Sequence, residues 1–416
     1  MFRALSLSVA SAIALSGVAY AVETKVGDIN LKLSGSATLV GEYIDQTDMN
    51  GLDSGVGAVD TSLVGAFWID SDAIEFGGVV ALDLDYATNF EDFLNDQGSS
   101  TILNEAWLYA DSPWGRLQVG QMDGVARAMG MRTPSVSGSV RVDNPEVFLL
   151  AYPCTTLCDR DNPQFPGAIF SPNGMQLRSD IHSSDVWLKV AYYTPRFSGF
   201  QFGVSFTPDG SRNLGEFFGG GDPTRNKQSN VWDFGLNYLG QIGDVDVGAS
   251  VGYVMGKNER NDSPFLFDDL RDWGAGINLG YQEWSAGVNY RRTNVAGGGP
   301  VLHGNFLSNV INDEETEVWS AGIKYETGPW AFGLNYIVET EDLGFTNEDQ
   351  EGSGFEAAIG YTVNSFIRLT GGYQHFEFDG PNSGTTACPI GNGGIFFPTC
   401  DTQDADVGFV ETKFSF

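Results

Sequence analysis

Positive charge is scarce in this chain: 22 Lys and Arg stand against 54 Asp and Glu in 416 residues. Nucleic acid is thereby excluded as a partner, because phosphate contacts rest on Lys and Arg. Histidine is rarer still, with only His182, His303 and His375. A hydrolytic triad needs a His beside a nucleophile and an orienting acid. His182 precedes a strand-like segment, His303 sits in a loop and His375 ends a strand, so no enzyme is expected. Beyond residue 21 there is no run of 18 apolar residues, so no helix is expected to cross a membrane. The four cysteines lie in loop-like segments and lack the spacing of a zinc site. Glycine clusters at 219–221 and 297–299 lack the Lys-Ser/Thr that follows a phosphate-cradling loop.

What is present begins with an export signal. Arg3, the apolar stretch Leu5 to Val18 and Ala19-Tyr20-Ala21 read as a secretory signal peptide over 1–21, with 22–416 as the mature chain. Cleavage removes one Arg and no acid, moving the formal net charge from −32 to −33. Export to an oxidising compartment makes Cys154 with Cys158, and Cys388 with Cys400, two expected local disulfides.

Glycine (54 residues) and aromatics (13%) are abundant and proline (16) is sparse, which suits a large antiparallel barrel. Apolar and polar residues alternate with period two in sixteen segments, from 29–43 and 59–69 through to 366–377 and 405–416. Two- to four-residue connections such as Gln241-Ile242, Gln282-Glu283 and Thr327-Gly328 alternate with long acidic ones. That parity belongs to an outer-membrane barrel, with short turns on one side and long loops on the other. In each clear segment one phase carries no charge, while Glu75, Asp83, Asp85, Lys189, Asp233, Asp246, Lys324, Glu356 and Arg368 all fall in the other. A lipid-facing Lys or Arg at mid-bilayer costs about 2–4 kcal/mol, so the split predicts a hydrocarbon exterior and a wet interior. Aromatics six residues apart frame the outer phase, as in Trp284 with Tyr290 and Trp319 with Tyr325. The first five segments offer Gly35, Ala37, Gly41, Gly65 and Gly78 there instead. Those small residues either admit a neighbouring protomer or ease curvature.

One connection is more than twice as long as any other: 122–184, carrying Arg127, Arg132, Arg141, Asp143 and Glu146. A loop of that length is usually functional, and this one is expected to fold into the bore and narrow it.

Three stretches resemble the general bacterial porins, the diffusion channels of the Gram-negative outer membrane. Val190 to Phe206 (VAYYTPRFSGFQFGVSF) is similar to that family's tyrosine strand, Ser/Thr-Pro turn and Gly-Phe restart. Asn104 to Gln121 (NEAWLYADSPWGRLQVGQ) is similar to the strand pair leading into the constriction loop. The last strand ends in Phe414 and Phe416, like the terminal strand read by the barrel assembly machinery. The resemblance implies a sixteen-stranded barrel, a homotrimer, residence among outer-membrane lipid and lipopolysaccharide, and loop three inside each barrel. It also implies loop carboxylates facing basic wall residues, and here the sequence departs from the pattern. Asn104 stands where Arg is usual, and loop three brings its own arginines.

The expected constriction therefore sets Asp83, Asp85, Asp123, Asp143 and Glu146 against Lys32, Arg116, Arg127, Arg132 and Lys189. This near balance, with acidic outer loops, predicts passive diffusion of small hydrophilic solutes with moderate cation selectivity. A sugar- or anion-selective channel is the alternative, and Trp68 and Trp187 in the inner phase are thin support for it. Loop acids such as Asp159, Asp161, Asp222, Asp268, Asp269, Asp401 and Asp404 are of the type that binds Ca²⁺ or simply stays solvated. No cofactor is assigned.

Overall fold

The computed structural model describes residues 21–46, 54–71, 73–89, 100–143, 177–184, 186–210, 228–258, 269–294, 315–342, 349–379 and 403–416. Seventeen strands are found in it. A short β1 (Val22–Val26) precedes β2 (Ile29–Gln46), β3 (Ser54–Ser71), β4 (Ile74–Asn89), β5 (Ser100–Ser112) and β6 (Gly115–Met122). Next come β7 (Trp187–Tyr193), β8 (Phe200–Asp209), β9 (Gln228–Ile242), β10 (Val245–Asn258), β11 (Leu270–Tyr281) and β12 (Trp284–Thr293). The series ends with β13 (Glu315–Thr327), β14 (Trp330–Asp342), β15 (Gln350–Thr362), β16 (Ile367–Asp379) and β17 (Gln403–Ser415).

From β2 onward each strand pairs antiparallel with the next, and β17 pairs with β2, so sixteen strands close a barrel with no free edge. The extra strand β1 was not expected from the alternation. It pairs with β2 from Val22↔Leu33 to Val26↔Ile29, while β17 occupies the same edge from Ser415↔Ser36 onward. Gly35 and Phe416 exchange both backbone hydrogen bonds at 2.9 Å where the two meet. Thus β1 and β17 lie end to end and complete one wall position between them.

The outward phase is the expected one. Trp232, Leu236, Val251, Trp284, Trp319, Leu334 and Tyr361 are all exposed on the outer face. Aromatics from adjacent strands meet in two rows. Trp273–Tyr290 (5.0 Å) and Tyr290–Trp319 (4.5 Å) lie toward the long loops. Trp284–Tyr325 and Trp330–Tyr361 (both 4.6 Å) lie toward the short turns. One turn moves: β9 continues through Gln241 and Ile242, and the chain reverses at Gly243, whose φ of 63° lies in the left-handed region that favours glycine.

The interior is drier than the polar alternation implied. Val40, Ile44, Val318, Ile337, Phe376, Phe378, Val407 and Phe409 point inward and are buried beneath Val136, Val140, Val142 and Leu177. Those four belong to the long connection after β6, called loop three below. Burial of this patch is what holds the loop in the bore, since apolar area removed from water contributes about 25 cal/mol per Å².

Candidate functional site

Loop three leaves β6 at Met122, forms one helical turn, α1 (Val125–Ala128), and then follows the inner wall. Its backbone is fixed strand by strand. The Asp233 carboxylate on β9 accepts from the Ala126 amide (2.6 Å), and Ser250 on β10 accepts from Met131 N–H (2.8 Å). Asn278 on β11 donates to the Arg132 carbonyl (2.7 Å). Glu356 on β15 then accepts from Ser135 (3.1 Å), Ser137 (2.7 Å), the Val142 amide (3.1 Å) and Gln374 (2.7 Å). Glu411 on β17 accepts from the Gly138 (3.2 Å) and Ser139 (3.4 Å) amides, and Ser139 Oγ reaches Asp60 on β3. The returning limb is held by Glu339 to the Leu177 amide, and by Asn289 to the Ser179 carbonyl at 2.8 Å. Between Val142 and Leu177, residues 144–176 lie outside the described residues.

The loop can lie this close because the wall beneath it is glycine. A Cβ on Gly252 would come within 2.7 Å of Ala126 Cβ, and one on Gly276 within 2.6 Å of the Met131 carbonyl. A Cβ on Gly322 would stand 2.6 Å from the Pro134 carbonyl, and one on Gly354 would stand 2.6 Å from Val142 Cγ2. Inward-facing glycines on successive strands form a track for the loop backbone.

The loop arginines are paired with the loop's own aspartates. Arg141 holds Asp143 through two hydrogen bonds (2.6 and 2.9 Å), and Arg178 holds Asp180 likewise (3.1 and 3.2 Å). Arg127 bridges Asp123 (3.0 Å) and Asp180 (3.2 Å). Arg132 reaches Asp143 only at 3.8 Å. Burial by itself pushes the Asp180 carboxyl up, but Arg178, Arg132, His182 and Arg127 hold it well below the usual carboxylate range. His182 is held well below its ordinary value by burial and by Arg291 and Arg178.

Of the anticipated constriction residues, the structure brings Asp123, Arg127, Arg132 and Asp143 together in loop three. Asp83 sits on β4 and accepts a hydrogen bond from Asn104 on β5. Lys189 is buried at the loop's foot, where Ser184 accepts from its ammonium, so it does not line the bore. Lys32 pairs with Glu23 of β1 at 3.3 Å, close to the β1–β2 turn. Arg116 pairs with Asp111 at 2.6 Å and stacks over Tyr109, beside the β5–β6 turn. Neither joins the loop cluster. The Asp85 side chain, Glu146, Cys154, Cys158, Cys388 and Cys400 lie outside the described residues. Among the described residues no group of His, Cys, Asp and Glu is disposed to hold a metal ion.

Sequence reasoning missed Asp60, Glu105, Arg178, Asp180, Asp272, Arg291 and the docking role of Glu356 and Glu411. Alternating charge in Arg178-Ser-Asp-Ile-His182 was the available signal. The wall of β3 to β5 carries Asp60, Glu75, Asp83 and Glu105, of which Asp60 and Glu105 accept from loop-three donors, Ser139 and the Asp123 amide. Glu75 accepts from the Tyr109 hydroxyl (2.6 Å), and Glu105 from Trp107 Nε1 (3.3 Å) and the Asp123 amide (3.1 Å). Loop three thus carries both arginines and aspartates, and the wall carries Arg291 and Arg368 as well as carboxylates, so the two signs are not divided between loop and wall as the resemblance implied.

Residues 7–381 match the family described as Gram-negative porin. Three solved structures are similar in fold at low identity. OmpF of Salmonella typhi, solved with daunomycin, has a TM-score of 0.58 and 12% identity, over 94% of this chain and 100% of that one. An anion-selective porin from Comamonas acidovorans has a TM-score of 0.55 and 11% identity, over 93% and 100%. OmpT of Vibrio cholerae in its trimer form has a TM-score of 0.51 and 12% identity, over 93% and 99%. No curated protein matches the chain at a significant level.

Proposed function

Because the chain belongs to the Gram-negative porin family, we propose that each outer-membrane channel it forms passes small hydrophilic solutes by passive diffusion and moderately favours cations. The observation that supports selectivity is the unequal neutralisation of the two sides. The four loop arginines, Arg127, Arg132, Arg141 and Arg178, are offset to within one charge by Asp123, Asp143 and Asp180 within ion-pair distance. Asp60, Asp83 and Glu105 on the wall accept instead from neutral donors, Ser139, Asn104 and Trp107. Charges closer than the Debye length of about 8 Å act on an ion in the bore, whereas most of the remaining charge is screened.

In this reading three chains assemble as a homotrimer, and residues 1–21 are removed on export. No catalytic step is proposed: His375 sits on the outer face against Asp406 (2.7 Å), away from the bore.

The test is the reversal potential of the purified protein in a planar bilayer under a KCl gradient. A cation preference that weakens as salt rises is expected, and Asp60→Asn with Asp83→Asn should move it toward chloride. The similar Comamonas acidovorans structure is an anion-selective porin. Chloride preference in the wild type at low salt would give this chain that character and remove the proposed role of the wall carboxylates.

A further inference from the structure

Between the two limbs of loop three and the wall of β10–β12 lies a cavity of about 290 Å³. Asp123, Arg127, Arg132, Ser179 and Asp180 line it, with apolar surface from Met131 and Ile181. Two of these groups have hydrogen-bonding capacity left over. Ser179 is 1% exposed, and its hydroxyl has no partner among the described residues. Arg132 Nε is likewise buried without a partner among them, and the guanidinium's contacts to Asp143 are long, at 3.3 Å to the carbonyl and 3.8 Å to the carboxylate. A buried hydroxyl and a guanidinium edge left unmatched each cost free energy unless something accepts from them.

We propose that this cavity is a binding station for the carboxylate of a small organic monoacid on its way through the pore. Once a small shift of the Arg132 and Ser179 side chains opens their buried Nε and Oγ to the cavity, the carboxylate oxygens would accept from both, a charge-assisted arrangement stronger than one between neutral groups. A short hydrocarbon stem would rest on Met131 and Ile181. Asp123 and Asp180 line the same space, so a dianion such as hydrogen phosphate meets repulsion that a monoanion meets only half as strongly. At about twice the roughly 150 Å³ that takes up benzene, the volume admits a monoacid of up to about a dozen heavy atoms. The site deepens the channel reading and rests on it, since the cavity is reached by solute only through an open bore.

The experiment is calorimetric titration of the intact protein in detergent with propionate, propionamide and inorganic phosphate. Saturable propionate binding at one site per chain is expected, with none for the uncharged, equally sized propionamide and weaker binding of phosphate. Ser179→Ala should weaken propionate binding about tenfold, the loss expected for one hydrogen bond to a charged group. Arg132→Gln should abolish it. Arg132→Gln bears on the loop's ion pairs, so Ser179→Ala, which leaves every arginine in place, carries the test if the first variant does not fold. Equal binding of propionate and propionamide, equal or tighter binding of phosphate, or an unchanged affinity in Ser179→Ala would each overturn the proposal. Wild-type conductance in a planar bilayer is measured alongside: a silent protein refutes the channel reading, whereas a conducting one that does not bind propionate refutes only this site.

Discussion

At the residue scale, the carboxylate with the most to lose is Glu356. It is fully buried and accepts from five neighbouring groups, three of which (Ser135, Ser137 and the Val142 amide) fix the outgoing limb of loop three. Glu356→Ala strands those donors away from water and should weaken docking of the loop by about 3 kcal/mol. Glu356→Gln keeps an acceptor and should lose less. Hydrogen exchange of the 135–142 amides reads this directly, and equal protection in wild type and Glu356→Ala would refute it.

The returning limb is set by charge in a different way. Asp180 and His182 both have values depressed in the docked loop, so the docked state holds fewer protons than a released one. His182 thus contributes its stability above its ordinary value of about 6.5, and that share is lost as pH falls below it. Asp180 follows, its contribution being lost below about pH 4 as its carboxyl protonates. Amides of 177–184 should exchange faster at pH 5 than at pH 7 after correction for intrinsic rates. His182→Asn should remove that difference. A difference that persists in the variant would mean another group titrates.

At the scale of the element, loop three is seated by what the wall lacks. Its backbone passes over Gly252, Gly276, Gly322 and Gly354, where a Cβ would collide with it. Gly322→Val would press a branched side chain against the Pro134 carbonyl, and a backbone atom cannot rotate away. The loop should lift, raising single-channel conductance and blunting ion selectivity. Gly408→Val is the control, because nothing lies within 4 Å of a Cβ there. Unchanged conductance in Gly322→Val would show that the loop is held elsewhere. Two outward glycines also have an intrachain reason. A Cβ on Gly35 would stand 2.9 Å from the Phe416 ring, and one on Gly78 would stand 2.7 Å from the Phe67 ring. That leaves Gly41, Gly65 and Ala37 as the small outward positions free to meet another chain.

At the scale of the whole molecule, the lipid face is uneven. Strands β11 to β15 carry two rows of paired aromatics, whereas β2 to β4 present Ala37, Gly41 and Gly65 among single aromatics, Tyr43, Phe67 and Phe76. A surface without a complete girdle is better covered by protein than by lipid, since interfacial aromatics anchor a lipid-facing wall. Unboiled protein should migrate on a detergent gel near three times the mass of the mature chain and collapse on heating. A monomer by light scattering in mild detergent would refute the trimer.

The sequence by itself determined the barrel. Period-two alternation, charge confined to one phase and alternating short and long connections are local properties, and each strand records them independently of its partners. Sixteen strands, their outward faces and an inward loop three were therefore legible. What only the tertiary structure decided is which inward residues meet. Ser137 and Glu356 are 219 residues apart in sequence and share one hydrogen bond, and Val136 and Phe376 share one buried cluster. Whether an inward carboxylate pairs with its own wall, as Asp83 does with Asn104, or anchors the loop like Glu356 depends on where a distant segment lies. The same holds for Lys189, whose phase is that of the lumen but whose ammonium is buried under Ser184. Alternation states which face a side chain points to, and it carries no information about what covers that face.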